Sequence, residues 1–345
     1  MGFPRILIKM PNWIGDAVMA GPLVGSVRAH WPGAHLAGLA RAKVRAVADR
    51  LPGFDEVLAE PDSPLALARL AAAGWDLAFT LSSTLTAPAA FAAGRIPLRV
   101  GFAGGGRGLF LTHAVPVLPR SLHQVDHYLA LGAPVGAFRP PAPALAWTVR
   151  PGDEAEAERF LRLGGFLGRN LVALAPGAAY GPAKRWAAPR WAALADRLAL
   201  ERDVLPVLVG GPEERPLAAR IAGLAARRPV DATGALSLGG TAALLRRCSA
   251  FASNDSGLMH VGAAVGVSTA GLFGSSNPHW TRPWGPAHAA IWGRVPCAPC
   301  YRRTCLPGRD YACLEAIQVG RVFAALTARP ALAGTAATRR APARA

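Results

Sequence analysis

An α/β protein of two doubly wound halves is what this sequence predicts, and three observations carry the prediction. Short β-type runs alternate with longer helical stretches, which is the rhythm of a parallel sheet built from βαβ units. A proline-crowded stretch at residues 138–151 (FRPPAPALAWTVRP) breaks that rhythm midway and reads as a linker, after which a second βα series begins. At 345 residues the chain exceeds one ordinary domain and suits two, each able to bury its own core.

In the first half, residues 5–10, 35–39, 76–81 and 96–102 read as β-type runs and residues 17–30 as the first helix. In the second half, residues 154–163 read as a helix and 171–176 as a buried strand. Residues 189–200 follow as a helix with Trp191, Leu194, Ala195 and Leu198 on one face, then 204–210 as a strand. A short strand closes at 251–253, residues 258–265 are helical with Gly266 as the stop, and 268–273 form a further strand. The resulting domains cover residues 1–145 and 152–328. Residues 329–345, rich in Ala, Arg and Pro without periodicity, read as a disordered tail.

Composition bounds the function. The chain is 52% hydrophobic and 17% charged, the profile of a well-packed globular protein. Lys and Arg outnumber Asp and Glu by 38 to 21, a formal charge of +17 that favours anionic partners such as phosphates, nucleic acid or an acidic membrane surface. The only lysines are Lys9, Lys43 and Lys184, so a general arginine bias on a solvated surface explains much of this charge equally well. No helix carries a dense basic stripe interleaved with aromatics, which argues against a nucleic-acid partner. The N-terminus reads as a first strand rather than a signal peptide, and no apolar run reaches membrane-spanning length, so any membrane contact is peripheral. Five cysteines make no disulfide scaffold in a chain of this size, and a reducing cytoplasm is expected.

Ligands in open α/β sheets sit at the C-terminal ends of the strands, so strand-to-helix loops are the places to search. Pro11-Asn12-Trp13-Ile14-Gly15-Asp16 follows the first strand. Asp16 suits either a general base or a helix cap, and its position leaves both open. Pro176-Gly177-Ala178-Ala179-Tyr180-Gly181-Pro182-Ala183-Lys184-Arg185-Trp186 lets backbone approach a ligand and offers Lys184 to a phosphate oxygen, or else carries a solvated cation; it is not a Walker A pattern.

Ser253-Asn254-Asp255-Ser256-Gly257-Leu258-Met259-His260 leaves a strand and opens a helix, a natural seat for a diphosphate. Asp255 would repel phosphate there, so it orients amides, a ribose or a sugar hydroxyl, or caps the helix. His260 reaches a phosphate or is a packed side chain. Glu213 and Glu214, after Gly210-Gly211, suit a ribose or are ordinary loop acids. Cys297, Cys300, Cys305 and Cys313 suggest a structural zinc or free, reversibly oxidised thiols, while Cys248 reads as core.

Together the three loops, followed by Gly271-Leu272-Phe273-Gly274-Ser275-Ser276, resemble the ADP-heptose:lipopolysaccharide heptosyltransferases of glycosyltransferase family 9, most closely the heptosyltransferase II branch. The likeness runs from about residue 5 to residue 320. It implies an α/β, GT-B fold of two Rossmann-like doubly wound domains facing across a cleft, the N-terminal one towards a lipid acceptor and the C-terminal one holding an ADP-sugar.

By the same resemblance Asp16 is the catalytic base, Lys184 a diphosphate ligand and Glu213 or Glu214 a ribose contact. Asn254, Asp255, Ser256, Gly257 and His260 then form the sugar-nucleotide pocket. The implied reaction is an inverting, metal-independent transfer of heptose to the inner core of lipopolysaccharide. It requires no cofactor and takes place at the cytoplasmic face of the inner membrane. The cysteine cluster departs from the family pattern. The basic stretch at residues 95–120, with Gly104-Gly105-Gly106-Arg107-Gly108, suits an anionic acceptor without matching a motif. The competing readings are a family member with another nucleotide sugar or acceptor, and a non-catalytic nucleotide- or metal-binding protein.

Overall fold

A computed structural model describes residues 4–328; the tail expected at 329–345 lies outside them. The chain divides into two compact units. One runs to Val149 and takes in His279–Trp284, and the other runs from Arg150 to Pro278 and resumes at Gly285.

In the first unit, β1 (Arg5–Lys9), β2 (His35–Ala40), β3 (Glu56–Ala59), β4 (Leu77–Thr80), β5 (Leu98–Phe102) and β6 (His113–Val115) form one sheet in the order β3-β2-β1-β4-β5-β6. In the second, β7 (Leu171–Ala175), β8 (Leu205–Leu208), β9 (Val230–Asp231), β10 (Ala250–Asn254), β11 (Thr269–Phe273) and β12 (Ala289–Trp292) run in the order β12-β11-β10-β7-β8-β9. Every pairing is parallel. The two sheets share one doubly wound plan, in which strand order reverses between β1 and β4 and again between β7 and β10. Strands covered by helices on both faces must be apolar throughout, and β7 and β10 are buried at every position.

The helix expected over residues 17–30 is two, Ile14–Met19 and Gly21–His30. Pro22 explains the division: it lacks an N–H, and its ring would crowd the carbonyl of Val18 in a continuous helix. In the second unit the helix Ala188–Arg202 buries Trp191, Leu194, Ala195 and Leu198, the face read from the sequence. Trp191 meets Trp186 edge to face at 5.2 Å, and the Trp186 indole N–H donates to the Ile317 carbonyl at 3.1 Å.

The return of residues 279–284 to the first unit has no local sequence signature. It is secured by His123, which caps the helix Gln124–Ala130. Its Nδ1 accepts from the Val125 N–H at 3.1 Å, its Nε2 donates to the Arg282 carbonyl at 2.8 Å, and its ring lies 4.6 Å from that of Trp284. Only the neutral imidazole protonated on Nε2 satisfies both partners. Burial pushes the His123 pKa down to about 4. The unfolded chain, with an ordinary histidine at 6.5, therefore takes up the proton first.

Stability from this site is full above pH 6.5 and is lost as pH falls towards 4. The loss amounts to about 3 kcal/mol at most. Urea unfolding followed across that window should show stability declining, and His123→Asn should flatten the decline; an identical pH slope in the variant would contradict the assignment.

Candidate functional site

β7 and β10 are neighbours at the switch point of the second sheet, with Ala175 beside Ser253, so the loops leaving their C-terminal ends emerge side by side. Asn254 joins them. Its amide Nδ2 donates to the Pro176 carbonyl at 2.7 Å and its Oδ1 accepts the Trp186 N–H at 3.2 Å, which pins both ends of the loop 176–186. Asn254 is fully buried, and its amide is spent on holding the loop 176–186.

Asp255 is not a helix cap. Ser256 occupies that position of the helix Gly257–Ala264, and the Asp255 carboxylate turns to Lys184 instead, with Nζ at 2.5 Å and the Ser276 hydroxyl donating to the same oxygen at 2.5 Å. The pair is largely enclosed, 18% exposed at Lys184 and 6% at Asp255, which keeps the ammonium from being an uncompensated charge when nothing else is bound. An ammonium has three N–H groups, so Asp255 orients Lys184 without exhausting it.

Lys184 ends a short 3-10 turn, Pro182–Lys184, and stands 5.0 Å from the Tyr180 ring centroid. That turn is braced from outside by the cysteine-bearing loop. The Arg303 carbonyl accepts the Ala183 N–H at 3.0 Å, Arg303 Nε donates to the Tyr180 carbonyl at 2.8 Å, and the Tyr180 hydroxyl donates to the Tyr301 carbonyl at 2.6 Å. Gly181 is obligatory here: its φ is +151°, and a Cβ would lie 2.6 Å from the Arg303 oxygen.

No side chain caps the helix Gly257–Ala264 at Ser256, whose hydroxyl lies instead 3.1 Å from that of Ser253. The first amides of that helix supply partial positive charge beside the Lys184–Asp255 pair. His260 lies in the first turn of this helix and is buried.

The two acids after β8 separate clearly. Glu213 is exposed; Glu214 folds inward, accepting the Gly211 N–H at 2.9 Å and lying against Gly210 and Gly177, where a Cβ on either glycine would collide with its carboxylate. Burial raises the Glu214 pKa, opposed by the Gly211 N–H.

In the first unit Asp16 is the third residue of the helix Ile14–Met19, whose cap position is Trp13, so the capping reading fails here too. Asp16 meets the hydroxyl of Tyr128, a side chain only 3% exposed. The loop before it rests on a residue the sequence reading passed over. Lys9 is fully buried, pairs with Glu60 at 3.1 Å, and donates to the Met10 carbonyl at 2.7 Å and to Asn12 Oδ1 at 3.3 Å. Burial lowers the Lys9 pKa, and Glu60 opposes that shift.

The arginines of residues 95–120 are less available to an anionic acceptor than their number suggests. Arg99 donates to the Phe110 and Ile96 carbonyls, and Arg107 to those of Ser83, Phe102 and Ala103. Cys313 is buried, and burial raises its pKa, the neighbouring Cys300, Cys297 and Cys305 adding to the rise. Among the described residues no group of three or more His, Cys, Asp or Glu side chains is arranged to hold a metal ion. Cys248 is a core residue, its thiol donating to Leu244 and its pKa pushed up to about 12 by burial.

Residues 66–309 match glycosyltransferase family 9 (heptosyltransferase). Lipopolysaccharide heptosyltransferase 2 of Escherichia coli is 30% identical over 301 residues, 81% of this chain and 85% of the relative, and lipooligosaccharide heptosyltransferase 2 of Haemophilus influenzae is 27% identical over 81% and 86%. Among solved structures, E. coli ADP-heptose lps heptosyltransferase II superposes with a TM-score of 0.78 at 26% identity, covering 94% of this chain and 98% of that one. The family 9 glycosyl transferase of Veillonella parvula reaches 0.83 at 23% identity, covering 94% and 96%. The fold class is that of GT-B heptosyltransferases, with a doubly wound sheet in each unit.

The Asn254 clamp yields a direct expectation. Asn254→Ala leaves the buried Trp186 N–H and Pro176 carbonyl without their partner and should cost about 2–4 kcal/mol in denaturant unfolding. A loss below about 0.5 kcal/mol would show that the loop holds without it.

Proposed function

The chain belongs to glycosyltransferase family 9, the heptosyltransferases, and from that premise we propose that it transfers a heptose from ADP-heptose to the inner core of lipopolysaccharide, with inversion and without a bound metal. One observation carries the donor side: the Lys184–Asp255 pair beside the start of the helix Gly257–Ala264, at the switch point of the second sheet. A cation with N–H groups to spare and a row of helix-start amides suit a diphosphate. Glu214, turned inward beside Gly177 and Gly210, is better suited than exposed Glu213 to accept hydrogen bonds from the ribose.

The reaction is a single displacement. The acceptor hydroxyl gives its proton to Asp16 as its oxygen bonds to the anomeric carbon of the heptose, and the bond from that carbon to the ADP oxygen breaks on the opposite face. One carboxylate suffices, because no covalent sugar intermediate forms. The charge that develops on the departing diphosphate is met by Lys184 and the helix-start amides, groups that are already oriented before reaction. No helix among the described residues is long and apolar enough to cross a membrane, and a formal charge of +17 suits anionic headgroups. We place the enzyme in the cytoplasm, held peripherally at the inner-membrane surface.

One assay series tests this reading. With EDTA present, the wild-type protein should transfer heptose from ADP-heptose, and Asp16→Asn should lower kcat by about 100-fold or more while donor affinity stays within two-fold or so. Undiminished transfer by the variant would remove Asp16 from the base role. Tighter calorimetric binding of a UDP- or GDP-sugar than of ADP-heptose would overturn the donor.

A further inference from the structure

Behind Asp16 lies a directed chain of polar side chains, buried at Gln124 and Tyr128 and half-buried at Trp280. The Trp280 indole N–H donates to Gln124 Oε1 at 2.6 Å. With its oxygen thus engaged, the Gln124 amide presents its N–H to the Tyr128 hydroxyl, and Tyr128 in turn bonds Asp16. An indole can only donate, so the bond from Trp280 sets which end of the Gln124 amide faces Tyr128, and the Tyr128 O–H is left to point to Asp16. Gln124 is 9% exposed and Tyr128 3% exposed, and their helix, Gln124–Ala130, packs on Ile14–Met19 and Gly21–His30. Trp280 is itself held in place, with the Arg120 guanidinium 4.5 Å from its ring. All four residues of the chain belong to the first unit.

A helix core has no need of such a chain. A phenylalanine and a leucine would fill the same volume, and a buried polar network that is incompletely paired is destabilising. What it does supply is a fixed hydrogen-bond donor on one side of a half-buried carboxylate.

We propose that Tyr128 is a positioning residue for Asp16, its O–H holding one edge of the carboxylate so that the other faces the acceptor hydroxyl, and that Gln124 and Trp280 act only by keeping that O–H aimed. The proposal rests on the reading of Asp16 as the base. Trp280 follows Ser276, the partner of Asp255, by a short stretch of chain, so one segment carries both a donor-side contact and the anchor of the base-side chain.

The test is a double-variant cycle on the full-length enzyme, with kcat, donor affinity and thermal midpoint read for Tyr128→Phe, Trp280→Phe and the two together. Tyr128→Phe should lower kcat about 10-fold or more and leave donor affinity unchanged. Trp280→Phe should lower kcat less, and should cost nothing further once Tyr128 is phenylalanine, because its effect passes through the hydroxyl. Full kcat in Tyr128→Phe, or losses that multiply in the double variant, would overturn the proposal, as would losses that track the thermal midpoint alone. Asp16→Asn separates the two ideas. An inactive Asp16→Asn beside a fully active Tyr128→Phe removes the positioning role alone, whereas a fully active Asp16→Asn removes the base and the positioning role with it.

Discussion

The carboxylate of Asp255, shared between the ammonium of Lys184 and the hydroxyl of Ser276, is the interaction on which the rest of the site depends. It gathers three separate stretches of chain: the loop after β7, the end of β10, and the residues after β11. Asn254, next to it, ties the first two by its side-chain amide, bonded to the Trp186 N–H and the Pro176 carbonyl. The two neighbours divide the work, the amide fixing where the loop runs and the carboxylate fixing where its one cation points. A buried ion pair of this kind adds little to stability, since desolvation offsets most of the attraction. Its effect is to hold the ammonium in one orientation, with N–H groups left over.

The same economy marks the first unit. Asp16 follows the loop that buried Lys9 supports through Met10 and Asn12, and its side chain meets Tyr128. Both loops therefore leave the C-terminal end of a strand at a switch point and rest on a buried polar group that the strand or its neighbour supplies. Two units with one topology have arrived at one solution for holding a loop, although their functional side chains differ in charge.

Much of the fold was legible in the sequence, because parallel strands buried on both faces read as apolar runs and Gly and Pro mark the loops between them. The loops at 12–16, 176–186 and 253–260 were found for the same reason. What misled was the short-range logic of helix starts. Asp16 and Asp255 both stand where an acid commonly caps a helix, yet Trp13 and Ser256 hold the cap positions and the two carboxylates turn to long-range partners, Tyr128 and Lys184. Spacing along the chain says nothing of such pairings. Gln124 and Trp280 are farther apart still, joined only because residues 279–284 return to the first unit. The spacing of the cysteines likewise gave no sign that the loop carrying them braces the Lys184 turn, through Arg303 and through the Tyr180 hydroxyl.

The central claim is that Lys184 acts on the phosphates and not merely on the shape of its loop. The most direct measurement compares ADP with adenosine by calorimetry in the wild-type protein and in Lys184→Gln. Loss of a charged hydrogen bond to the diphosphate predicts that ADP affinity falls about 10- to 100-fold while adenosine binding is unchanged. Equal weakening of both ligands, or of neither, would contradict it.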